Sequence, residues 1–108
     1  MVVSRFRLED PGPADEARFR ADVQAALDVL ATRPGYVDGR VGRNLDDPAL
    51  WVLVTTWDGV GSYRRALSSY DVKVGAVGLL ARAVDEPSAY EDVEPGGTLN
   101  RAGARELG

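Results

Sequence analysis

The sequence predicts an α+β domain in which an antiparallel sheet carries helices on one face, its elements in the order βαββαβ. Three observations point to it. Residues 1–8 and the run from Leu50 to Trp57 alternate and are rich in β-branched and aromatic side chains. Residues 14–32 switch to helical spacing of apolar positions. Clusters of Gly, Pro, Asp and Asn at 9–13, 33–35 and 44–48 cut the chain between these segments.

The first strand places Val2, Ser4, Phe6 and Leu8 on one face and Val3, Arg5 and Arg7 on the other. Pro13 suits the first turn of the helix that follows. In that helix Phe19, Val23, Ala26, Leu27 and Leu30 form one stripe, which predicts packing against the sheet. Pro34 and Gly35 end it. The second strand, YVDGRVGR over 36–43, contains Gly39 and Gly42, a signal of a bulge or a close backbone approach. The polar turn at 44–48 makes strands two and three a hairpin.

Strand three ends at Trp57, and Asp58 is suited to cap the next helix, which carries Tyr63 one turn in and runs to about Leu67. An indole at the end of a strand and a phenol six residues on can share one pocket; equally, both rings can simply fill the core. A break at 68–71 precedes a looser helical piece over 72–82, weakened by Gly75 and Gly78. A last strand is expected within 84–93, beginning near Ser88 after Pro87. Residues 1–93 thus form one ferredoxin-like domain, and 94–108 read as a flexible or partner-ordered arm.

Composition excludes much chemistry. The 108 residues hold no Cys and no His, which removes thiol nucleophiles, disulfides, imidazole metal ligands and imidazole bases. No cofactor or metal site is signalled. Proton transfer falls to carboxylates, Tyr, Lys73 or water. A net charge of −4 argues against nucleic acid as a partner, and no apolar run is long enough to cross a bilayer. No export leader is evident, so the expected location is the cytoplasm.

One face of the predicted sheet lacks helices yet presents Val3, Val52, Val54 and Thr56. Covering it by a second copy, sheet against sheet, gives a homodimer.

The element order, the Arg33-Pro34-Gly35-Tyr36 entry to strand two, and the strand ending in Trp57 ahead of Tyr63 resemble the antibiotic biosynthesis monooxygenase family. The resemblance implies a dimeric α/β barrel and, for some members, cofactor-independent oxidation of anthrones or phenols by O2. It implies a pocket between sheet and helices near Trp57 and Tyr63. Phe6 and Leu53 would wall that pocket with Trp57; Tyr63 or Tyr70 would donate to a substrate oxygen, and Arg82 would steady an anion. Two departures stand out. Leu53 occupies the position where quinone-forming members carry Asn, and the absence of His removes the iron ligand of the haem-degrading branch. The alternative from another class is a non-catalytic dimer that binds a small molecule or serves in stress. A reader of single-stranded RNA ranks below both, because Trp51 and Trp57 fall on the helix-covered face.

Overall fold

Three strands, β1 (Val2–Arg7), β2 (Tyr36–Arg43) and β3 (Leu50–Trp57), form an antiparallel sheet in the order β1-β3-β2 in a computed structural model that describes residues 1–10 and 12–99. β3 lies at the centre because it is apolar on both faces. Trp51, Leu53, Thr55 and Trp57 are buried under the helices, while Val52, Val54 and Thr56 are half-buried on the opposite side. Its neighbours keep this parity. Ser4 pairs with Leu53 and Phe6 with Trp51 on one side; Val41 pairs with Leu53 and Tyr36 with Trp57 on the other. The bulge anticipated in β2 lies between Tyr36 and Asp38, and Gly39 meets Leu27 and the Tyr36 hydroxyl at close quarters.

Helix α1 (Pro13–Leu30) opens on Pro13 and buries the predicted stripe of Phe19, Val23, Ala26, Leu27 and Leu30. The Phe19 ring centroid is 5.3 Å from those of both Phe6 and Trp51, so this side chain joins β1, β3 and α1. The chain then forms α2 (Val60–Ser68), α3 (Tyr70–Gly75) and α4 (Val77–Leu80). Ser69 divides the first two, its hydroxyl accepting from the Val72 N–H as the cap of α3. The loose helical piece expected over 72–82 is therefore two short helices. They part at Ala76, directly after Gly75, where an added Cβ would stand 3.2 Å from Val29.

Two details differ from the sequence reading. The N-cap of α2 is Gly59, because the Asp58 carboxylate is turned to the Ser62 hydroxyl instead of a backbone N–H. The last β element is confined to an isolated bridge between Val2 and Ala89. Residues 84–90 follow the β1 edge through N–H donors on Val84 to Arg5 O, Val3 to Ser88 O and Tyr90 to Met1 O, each at 2.7 Å. The register slips between these contacts, because the Val2–Ala89 bridge would set Arg5 opposite Glu86 whereas the Arg5 carbonyl accepts from Val84, so no continuous ladder forms. Arg5 grips the same segment by two bonds to Glu86, at 2.5 and 2.8 Å, and holds its carboxyl below the usual range. The βαββαβ order stands, with its final member reduced to this strap.

Among the described residues no helix is long and apolar enough to cross a membrane. Residues 94–99 of the expected arm carry neither helix nor strand, and 100–108 lie outside the described residues.

Candidate functional site

The junction of β3 and α2 fixes the aromatic pair. Trp57 is the last residue of β3 and its indole N–H donates to the Thr55 hydroxyl at 2.9 Å. Since α2 begins at Val60, its fourth residue, Tyr63, returns towards the sheet. The two ring centroids are 5.6 Å apart at 56°, and Tyr36 meets Trp57 edge-on at 5.5 Å. Gly35 holds this corner together. Its φ is +90°, its carbonyl accepts from the Asp58 N–H at 2.8 Å, and any Cβ there would run into Ser62 and Asp58. The Pro34-Gly35-Tyr36 entry noted in the sequence is thus the seat on which the start of α2 rests.

Tyr63 also lines a cleft of about 320 Å³ between β1 and residues 80–88. Ser4, Leu80, Val84 and Asp85 are among its other walls. Burial pushes the Tyr63 hydroxyl above its ordinary pKa, so at neutral pH it is a hydrogen-bond donor and not a base. A larger depression of about 480 Å³ lies between α1 and β2, lined by Arg20, Gln24, Arg43 and Trp51. It contains none of the six residues singled out in the sequence, and the Glu16–Arg43 ion pair at 2.8 Å lies at its wall. Of the two, the smaller cleft is the one that holds a residue singled out in the sequence, Tyr63.

Of the six, the structure brings Trp57 and Tyr63 into contact and places Tyr63 at the cleft. Phe6 and Leu53 are each 2% exposed in the core, on the same face of the sheet. Tyr70 stands 78% exposed at the start of α3. Arg82 pairs with Asp22 at 3.5 Å and lies over the Phe19 ring; of the six only Tyr63 lines the cleft, so Phe6, Leu53 and Trp57 pack in the core instead of walling it, and Tyr70 and Arg82 lie away from it. Ser4 and Asp85 were not singled out in the sequence. The signal for Ser4 was present, as a hydroxyl at an inward position between Val2 and Phe6. Asp85 carried none, since its place depends on a segment without regular structure. Among the described residues no three of His, Cys, Asp or Glu are grouped as metal ligands.

A three-stranded antiparallel sheet under helices, in ferredoxin-like order, with an aromatic pair behind a small cleft, defines the class of protein. The model of the antibiotic biosynthesis monooxygenase family matches residues 1–76, and the chain belongs to that family. Its fold is similar to that of SnoaB, a cofactor-independent oxygenase from Streptomyces nogalater. The two are 23% identical over 86% of this chain and 91% of that one, with a TM-score of 0.70. Rv0793 from Mycobacterium tuberculosis is 15% identical over 89% and 96% of the two chains, with a TM-score of 0.63. A conserved protein from Methanosarcina mazei is 19% identical over 82% and 83%, with a TM-score of 0.61. At these identities the likeness is one of fold. Among curated proteins, none matches.

Proposed function

We propose that this chain is a cofactor-independent monooxygenase that uses O2 to oxidise a small phenolic or anthrone-like aromatic in the cleft beside Tyr63. The observation that carries it is the Trp57–Tyr63 pair, one ring buried behind the other and the phenol lining the cleft. In the reaction, a ring carbon flanked by the aromatic system loses a proton and the resulting carbanion gives one electron to O2. The radical pair joins as a peroxide, which eliminates water and leaves a carbonyl: CH2 and O2 become C=O and H2O. Tyr63, kept protonated, donates to the substrate oxygen on which negative charge develops. Asp85, at the cleft, accepts the proton, since Glu86 is committed to Arg5. Leu80 and Val84 supply apolar wall that limits water.

The test is oxygen uptake with an anthrone such as emodin anthrone, corrected for autoxidation. Tyr63→Phe is expected to lower kcat about 10²-fold, the effect of losing one donor to a developing oxyanion. Equal rates in both proteins would remove Tyr63 from the chemistry. No uptake by the wild type, with the anthrone bound, would favour the second reading, a binding protein without turnover. Leu53 is the residue that keeps that reading in view.

The proposal includes a homodimer. The sheet face opposite the helices presents Val3, Val52 and Val54, all half-buried in the single chain. Light scattering is expected to give twice the chain mass of 11.6 kDa. A mass equal to one chain would refute the pairing.

A further inference from the structure

Two hydroxyls at the same cleft have no partner among the described residues. Ser4 is 6% exposed, lies on the helix-covered face of β1 between the buried Val2 and Phe6, and pairs across the sheet with the apolar Leu53. Tyr63 is 8% exposed. Both line the cleft, and among the described residues neither hydroxyl makes a hydrogen bond. Neither oxygen is sealed away, the enclosed side-chain atoms without a partner among the described residues being Arg33 Nε and Trp51 Nε1, so both hydroxyls are open to the cleft. The Ser4 hydroxyl, at an inward strand position where Ala or Val would pack as well, is thus free for a ligand in the cleft.

We infer that Ser4 is a substrate-positioning residue, and that its hydroxyl and that of Tyr63 form a two-point clamp for a neutral, oxygen-bearing aromatic ligand. The oxygens follow from the hydroxyls, each of which can donate to a carbonyl or phenol oxygen. Neutrality follows from the cleft's own charge: Asp85 and Glu86 both line it, and Glu86 alone of the two is paired, with Arg5. An anion arriving there meets like charge, whereas a neutral phenol or hydroxyketone does not. The size agrees, about 320 Å³ being at the small end of small-molecule sites. The clamp rests on the oxygenase reading for what happens after binding, but not for binding itself.

Ser4→Ala separates the two. Affinity is measured by titration with a dihydroxyanthraquinone and, in parallel, with anthracene, which has the ring frame and no oxygen. Ser4→Ala is expected to weaken the dihydroxyanthraquinone by about five- to tenfold, the effect of one neutral hydrogen bond, and to leave anthracene unchanged. The ligand-free variant is expected to melt at the same temperature as the wild type, since the hydroxyl it loses has no partner among the described residues. An unchanged dihydroxyanthraquinone affinity would overturn the clamp. So would a lower melting temperature with both ligands weakened alike, which would make Ser4 a structural residue. Failure of the wild type to bind either ligand would overturn the clamp together with the cleft. Discrimination lost in Ser4→Ala, in a protein that consumes no oxygen, would leave the clamp standing and remove the oxygenase.

Discussion

Gly35→Ala is expected to destabilise the fold by about 2–5 kcal/mol, the sum of a forced positive φ and an overpacked contact. The backbone there has φ +90°, and an added methyl has Ser62 and Asp58 in its way. Neither obstacle yields alone. Moving the loop breaks the bond from the Asp58 N–H to the Gly35 carbonyl, and moving α2 shifts Tyr63 off Trp57. Gly12→Ala is the control, because φ is −76° and nothing lies within 4 Å of an added Cβ. Urea denaturation monitored by circular dichroism reads both. A Gly35→Ala effect no larger than that of Gly12→Ala would mean the corner is not held as described.

Phe19→Ala is expected to remove about 3–5 kcal/mol, a large part of the 5–15 kcal/mol typical of a single domain. The ring is 2% exposed and touches Phe6 and Trp51, so its loss leaves a cavity where a helix and two strands meet. Arg82, stacked over the same ring, loses its platform as well. Tyr70→Ala, at an aromatic of similar size but 78% exposed, should fall within about 0.5 kcal/mol of the wild type. The same denaturation experiment compares them. A loss below about 1.5 kcal/mol at Phe19 would place the centre of the core elsewhere.

What could be read in the sequence was whatever depends on periodicity. Parity alone put Trp51, Leu53 and Trp57 under the helices and Val52 and Val54 outside, and spacing alone gave the buried stripe of α1. The burial of Ser4 was equally legible, but its meaning was not, because only the fold shows that Tyr63 shares its cleft. Local chemistry was less reliable where two partners competed. Asp58 has the side chain of a cap, yet Ser62 four residues on offered its hydroxyl first. The last strand failed for a different reason: its composition allowed pairing, but the register along β1 slips between Ser88 and Val84, which only the folded chain shows. Tyr70 and Arg82 were singled out for their chemical type, and nothing in a linear sequence tells which way a side chain at a helix end will point. Tyr70 stands in solvent, and Arg82 lies on Phe19.

The two rims of the sheet differ in a way that bears on self-association. Along β1 the rim is covered by residues 84–90, which bond Met1 O, the Val3 N–H and Arg5 O. Along β2 the rim is open, but a bulge after Tyr36 breaks its flatness, and Asp38, Arg40 and Arg43 put charges of both signs along it. Lateral addition of strands, the route by which exposed sheets grow into aggregates, is closed at one side and disfavoured at the other. What is left to a second copy is the flat of the sheet, where contact ends once two copies have met.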